Sequence, residues 1–333
     1  MNQASKKQGI NLRAGSVIIG KWHHHQYIIK KRLGHGAIGS VFLCEWNGRD
    51  AALKISEKSS SITMEVNVLK TFEKVQGNRL GPSLLDVDDW VTPSGRQLSF
   101  YVMEYLKGEQ LHTYFQHHGE EWLAIFVLQL LEDLTELHEA GWVFGDLKTE
   151  NLIITSPPPR LRWIDVGGTT QIGRSIKEYT EFYDRGYWGL GSRKAEPSYD
   201  LFALAMVIIR VFYPKGFERG KHPERTLMAH IQRSPGLKKY EPILKKALYG
   251  KYSTSEVMKK DLSTLLLKYS DQARKRQKQT QARAQQPQQK VSPNPTRSTY
   301  KANAPKRKSY VLIESLAISF VVFLFYVFYL FLT

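Results

Sequence analysis

The stretch LGHGAIGSV, residues 33–41, constrains the fold of this chain more than any other. Its glycines stand at 34, 36 and 39. A G-x-G-x-x-G turn that opens a helix belongs to dinucleotide-binding sheets. Here YIIKKRL precedes the turn and SVFLCEW follows it. Both segments are rich in β-branched and aromatic residues and read as strands. Gly34, Gly36 and Gly39 therefore sit in the turn of a hairpin. Without side chains, such a turn can lie as a flap against nucleotide phosphates.

A third strand, RDAALKI, follows at once. With a side-chain period of two, Ala52 and Lys54 share one face, and Ala51, Leu53 and Ile55 share the other. A lysine beneath a glycine flap can reach the α- and β-phosphates of a nucleotide. Glu65 opens EVNVLKTF, whose Val66, Leu69 and Phe72 have helical spacing. A carboxylate there can hold Lys54 in position. Glu57 is the alternative, and Glu65 is preferred because an apolar helical face follows it.

Further motifs continue in order: VMEYLKGEQL, GDLKTEN, DVG and YDLFALAMVI. With GHGAIGSV and AALK they resemble the bacterial members of the eukaryotic-type Ser/Thr protein kinase family, over residues 27–268. The resemblance implies an α+β, two-lobed protein-kinase-like fold, with ATP between a small β-rich lobe and a larger helical lobe. It implies Asp146 as the base that orients a substrate hydroxyl, and Lys148 as the cation on the γ-phosphoryl group. It implies Asn151 and Asp165 as Mg²⁺ ligands. Met103 is expected at the back of the adenine pocket, with backbone groups of Glu104 and Leu106 on the adenine edge. Glu109 is expected at the ribose, and Val41, Ala52 and Ile153 around the ring. Asp200 is expected to brace the catalytic loop from below.

Three positions depart from that pattern. DVG stands where a phenylalanine version is commoner, and the metal-binding Asp165 is kept. No clean APE follows, so the substrate-facing segment EFYDRGYWGLGSRKAEPSYD is not aligned. Gly145 replaces the arginine that in most of the family captures an activation-loop phosphate, so that switch is absent. Gly-Asp also occurs in small-molecule phosphotransferases such as aminoglycoside and choline kinases, which is the alternative reading. Lys148 and the short segment GGTTQIGRSIKEYT, with its hydroxyls available for self-modification, favour a protein kinase. A catalytically silent tether is the remaining alternative.

Charge divides the rest of the chain. Of the net +17, residues 273–308 supply +11, with no acidic residue among them. Rich in Gln, Pro and Lys/Arg, this segment cannot bury enough apolar surface and is expected to be disordered. Leu316–Thr333 is apolar throughout and, at about 1.5 Å per residue, long enough to reach across a bilayer core. The basic residues before it place the preceding domain in the cytoplasm. The expected organisation is an N-terminal extension (1–26), a kinase domain (27–270), a basic juxtamembrane linker (271–309) and a single C-terminal membrane anchor (310–333).

Arg274, Lys275, Arg276, Lys278, Arg283, Lys306, Arg307 and Lys308 of the linker suit a polyanion, either DNA or anionic lipid. DNA bound there would gather copies into a homodimer for trans-autophosphorylation, with DNA-associated proteins as substrates. The polar opening MNQASKKQGINLRAGS lacks the apolar core of a signal peptide. Cys44 is the single cysteine, which excludes an intrachain disulfide. His23, His24 and His25 lack the Cys/His spacing of a zinc site, so no metal is expected there.

Overall fold

The computed structural model describes residues 10–36, 39–76 and 81–285. Residues up to Gln277 form one compact unit. Its small lobe is an antiparallel sheet of six strands: β1 (Val17–Ile19), β2 (Gln26–His35), β3 (Ser40–Trp46), β4 (Arg49–Ser56), β5 (Leu84–Val91) and β6 (Gln97–Glu104). The spatial order is β1-β2-β3-β4-β6-β5. The expected alternation in β4 is present. Ala51, Leu53 and Ile55 join Ile18, Tyr27, Ile29, Phe42, Phe100 and Val102 in an apolar core, and Ala52 and Lys54 face away from it into the cleft. Burial pushes the Cys44 thiol up to about 12, which leaves it inert as a nucleophile.

Helix α1 (Ser59–Gln76) closes one side of the sheet. Ile62, Val66, Leu69 and Phe72 recur every three or four residues and are buried together. The helix starts before Glu65, so this carboxylate sits in its second turn, beside that apolar stripe.

The large lobe contains β7 (Glu109–Gln110), α2 (Leu111–His118), α3 (Trp122–Glu139), β8 (Trp142–Val143), β9 (Leu152–Thr155), β10 (Arg160–Trp163), β11 (Thr170–Gln171) and α4 (Pro197–Phe212). It ends with α5 (Pro223–Arg233), α6 (Pro235–Lys238), α7 (Glu241–Leu248) and α8 (Ser255–Gln285). Helix α4 is apolar on every side, and each residue from Tyr199 to Ile209 is buried. Such a helix has no solvent face and becomes the axis around which the lobe packs. The short ladders β7–β9–β10 and β8–β11 lie at the cleft and carry the catalytic loop between them.

Two segments differ from the sequence expectation. Strand β1 lies before residue 27, yet pairs with β2 as an edge of the sheet. Residues 273–285, expected to be disordered, continue helix α8. This stretch has neither Pro nor Gly and, apart from Thr280, is made of Ala, Arg, Lys and Gln, which favour helix whether or not they can be buried. Arg274 and Lys275 are exposed on α8, and the backbone of Arg276, Lys278 and Arg283 belongs to it. Lys306, Arg307, Lys308 and the apolar run 316–333 lie outside the described residues. Among the described residues, no helix is long and apolar enough to cross a membrane.

Candidate active site

A cleft of about 660 Å³ separates the lobes. Its roof is the glycine hairpin. The Gly36 amide donates to the Gly39 carbonyl at 2.9 Å. A Cβ added at Gly34 or Gly36 would meet nothing within 4 Å, which leaves open space beside the flap backbone. Gly39 does something different. A Cβ there would lie 2.5 Å from the Ile55 carbonyl oxygen, so only glycine lets β3 start this close to β4.

Lys54 projects from β4 beneath the flap. Its Nζ is 2.6 Å from Glu65 Oε2 and 3.1 Å from Asp165 Oδ1. Burial works to lower the Lys54 pKa, but the two carboxylates outweigh it and hold the ammonium above its ordinary value. The Tyr101 hydroxyl donates to Glu65 Oε2 at 2.7 Å and fixes the carboxylate. Glu57 is turned away to Arg96, at 3.0 Å. The Asp165 carboxyl is also opposed by burial, yet Lys54 and the Gly167 N–H keep it below the usual carboxylate range.

The floor is the loop after β8. Lys148 Nζ lies 2.5 Å from Asp146 Oδ2. Asn151 Nδ2 donates to the Asp146 carbonyl at 3.0 Å and to Asp146 Oδ2 at 3.1 Å. Burial lifts the Asp146 pKa, opposed by Lys148, which makes this carboxylate a better base than an exposed one. Asp200, wholly buried at the start of α4, accepts from the amides of Phe144 (2.7 Å) and Gly145 (2.9 Å). The expected brace is therefore in place. His138 Nε2 also meets Asp200 at 3.0 Å, and its Nδ1 meets Ser255 Oγ at 2.9 Å. Neither residue carried a sequence signal, because α3 and α8 supply them from far apart in the chain.

Val41, Ala52, Met103, Leu106 and Ile153 all line the cleft, joined by Ile164, which the sequence reading missed. The Glu104 amide donates to the Ser83 carbonyl, so it is not available to an adenine edge. The Glu104 carboxylate pairs with Arg162. Glu109 is not where it was expected. It lies outside the cleft lining and its Oε2 is 3.3 Å from His117 Nδ1. On a two-residue strand the neighbouring helix α2 decides where such a side chain goes. Glu150 and Glu178 line the cleft instead, as do Asp146 and Lys148.

Gly145 has φ +78, and a Cβ there would fall well inside 3.0 Å of the Gly168 carbonyl oxygen and 3.1 Å from Ile176 Cδ1. The catalytic loop and the loop after Asp165 thus touch backbone to backbone. Ile176 is buried with Val143, Ala195 and Tyr199. Around it, Gly173 N donates to Ala195 O (2.8 Å), Ala195 N to Arg174 O (2.7 Å) and Ile176 N to Arg193 O (2.8 Å). The segment that the sequence left unaligned is likewise anchored. Arg185 meets Glu196 at 2.7 Å, and the fully buried Asp184 carboxylate accepts from Tyr199 OH at 3.0 Å and from Arg193 Nε at 2.8 Å. Thr180 Oγ1 reaches Lys148 Nζ at 3.4 Å and Asp146 Oδ1 at 3.5 Å.

Cations and hard oxygens thus face one another across a cleft roofed by glycine backbone. Phosphoryl transfer asks for this arrangement, because it depends on positioned charge more than on covalent chemistry by the protein. The fold and site define a two-lobed, nucleotide-dependent phosphotransferase. The protein kinase domain profile matches residues 27–286, and the chain belongs to that family. It is 51% identical over 263 residues to the serine/threonine-protein kinase YabT of Bacillus subtilis (strain 168), covering 79% of this chain and 78% of that one. It is 27% identical over 172 residues to the serine/threonine-protein kinase PknG of Mycobacterium leprae, covering 48% of this chain and 22% of that protein. The solved structure of vaccinia related kinase 3 shares the fold, with a TM-score of 0.56 at 18% identity over 79% of this chain and 93% of that one. The domain is a eukaryotic-type Ser/Thr protein kinase, and proteins are its substrates.

Proposed function

We propose that this chain transfers the γ-phosphoryl group of ATP to protein Ser or Thr hydroxyls, and that its catalytic loop is ordered without an arginine–phosphate contact. The observation that carries this reading is the double anchoring of the loop. Asp200 holds it from below and the Gly145–Gly168 backbone contact, sealed by Ile176, holds it from the side. Asp146 accepts the proton of the attacking hydroxyl, and Lys148 balances charge on the transferring group. Lys54, fixed by Glu65, holds the α- and β-phosphates. The Asn151 nitrogen is committed to Asp146, which leaves Oδ1, with the Asp165 carboxylate, as hard oxygen donors suited to Mg²⁺. When bound, Mg²⁺ would supply positive charge against the phosphate oxygens.

Small-molecule phosphorylation, suggested by Gly145-Asp146, is disfavoured by the Lys148–Asp146 pair. The test is transfer of label from γ-labelled ATP to casein, with phosphoamino-acid analysis, beside kanamycin and choline as acceptors. Phosphoserine or phosphothreonine supports the reading, and label only on the small molecules refutes it.

The finer reading concerns the tail. The +11 segment and the apolar run 316–333 support a kinase anchored by its C-terminus in the cytoplasmic membrane, with a basic linker for DNA or anionic lipid. Binding of several copies to one DNA would promote trans-autophosphorylation, with DNA-associated proteins as substrates. Deleting 273–308 should abolish any stimulation by DNA and leave ATP binding intact. Stimulation that survives the deletion contradicts this role for the linker.

A further inference from the structure

The small-lobe sheet has two edges, β1 and β5. The turn between β1 and β2 folds onto β5. There Lys21 N donates to the Asp89 carbonyl at 2.8 Å, and the amides of Trp22 and His23 donate to the Asp88 carboxylate at 2.9 and 2.8 Å. These hydrogen bonds tie the turn at one edge of the sheet to the strand at the other, leaving a seam between them. At that seam, His23 Nδ1 is 2.7 Å from Asp86 Oδ1 and His25 Nδ1 is 2.8 Å from Asp86 Oδ2. We propose that His23, His25 and Asp86 form a site for a divalent transition-metal ion of the zinc class, which clasps the seam of the small lobe.

Four observations carry this. First, two imidazole nitrogens and a carboxylate lie within 4.8 Å of one another, a nitrogen-and-oxygen set of the kind that zinc takes with water as a further ligand. Second, the site is deep on one side and open on the other. The Asp86 side chain is 7% exposed, whereas His23 and His25 are 52% and 48% exposed, leaving an approach for an ion and room for water.

Third, the ligands are held from behind. Asp86 also accepts from the Tyr27 hydroxyl and from the Val87 amide, and Tyr27 is packed against Trp46 and Phe100. Such outer contacts orient metal ligands. Fourth, the turn is fixed in advance. The Gly20 amide donates to the His25 carbonyl at 3.0 Å, and His24, at φ +57, bulges so that its two neighbours turn toward Asp86. A Cβ at Gly20 would collide with the Asp88 carboxylate, so glycine is what admits this closure.

The charge balance favours a cation. Asp86 and Asp88 face imidazoles that must be neutral to bind metal. The two imidazoles face the two different oxygens of Asp86, so an ion entering between them would meet both nitrogens and the carboxylate at short range. A metal-binding Nδ1 carries no proton, so metal binding at this site is coupled to proton release. Imidazole is a poor ligand for Mg²⁺, so the cation of the phosphoryl-transfer site would not compete.

The test uses tag-free full-length protein in detergent, stripped with chelator and titrated with Zn²⁺ against a chromogenic competitor. His24→Asn is the control, and the exposed pair His23→Ala/His25→Ala is the test, since its loss does not empty a core. The expected result is one equivalent bound by parent and control and weakened by at least about tenfold in the double variant, because even outer-sphere changes cost 10–100-fold. Zn²⁺ should also raise the melting temperature of the parent and not of the double variant, and Co²⁺ should give visible bands that the double variant lacks. Equal affinity in parent and double variant, or no equivalent bound by the parent, overturns the proposal.

Discussion

Gly145→Ala adds one methyl group beside the catalytic base, and its effect can be worked from the backbone. At φ +78 an L side chain costs about 1–2 kcal/mol for the left-handed conformation alone. For a domain of this size that lowers the melting temperature by about 2–8 °C. The methyl also has no room. It would press on the Gly168 carbonyl and on Ile176, and one of the facing backbones must give way. Since Asp146 is the next residue, a shift of about half an ångström or more reaches the base, and misplacement on the 1 Å scale costs about 10²-fold in rate. The expected outcome is a kcat about 10- to 100-fold lower at saturating ATP, with the melting point down as stated. Gly145→Arg should behave no better and should not make activity dependent on phosphorylation. The assay is the initial rate of label transfer to casein, paired with thermal unfolding. Parent-like kcat and melting point in Gly145→Ala would refute the idea that this contact orders the loop.

Lys54→Met leaves Glu65 and Asp165 without their shared cation. It should remove transfer and also destabilise the fold by roughly 3–5 kcal/mol, read by urea denaturation. Asp200→Asn takes a charged acceptor from two backbone amides. It should cost roughly 1.5–3 kcal/mol and lower kcat, whereas a fall in stability alone would deny the brace its role in catalysis. Asp133 is one buried carboxylate that makes stability depend on pH. Burial raises its pKa to about 7 despite Arg160 at 2.7 Å. The folded state then holds a proton that the unfolded chain has lost between about pH 4 and 7, so stability falls as pH rises through that window, by an amount on the order of a few kcal/mol. Urea midpoints at pH 5 and 8 should show the fall, and Asp133→Asn should flatten it.

The hairpin flap, the face of β4 that carries Lys54 and the apolar stripe beside Glu65 were legible because each is a local periodicity in the sequence. Catalytic-loop residues were legible by resemblance, and the structure brings Asp146, Lys148 and Asn151 together. What was not legible depends on partners distant in sequence. Glu109 is a nearer case: it meets His117 on the following helix and lies outside the cleft lining. The gap left by the missing arginine could be read at Gly145, but not what fills it, since Ile176 and the Ala195 bridge arrive from later segments. Residues 273–285, expected to be disordered, are helical because propensity, rather than burial, decides these turns. The grouping of His23 and His25 with Asp86 was not legible in the sequence, because Asp86 comes from the opposite edge of the sheet.

The most direct measurement compares the parent protein with Asp146→Asn in Mg²⁺ and γ-labelled ATP, using dephosphorylated full-length protein so that no activating phosphate is present at the start. Linear transfer to casein from the first time point, absent in the variant, is what a catalytic loop ordered without an arginine–phosphate contact predicts. A lag that only prior phosphorylation removes, or transfer that survives in Asp146→Asn, would contradict it.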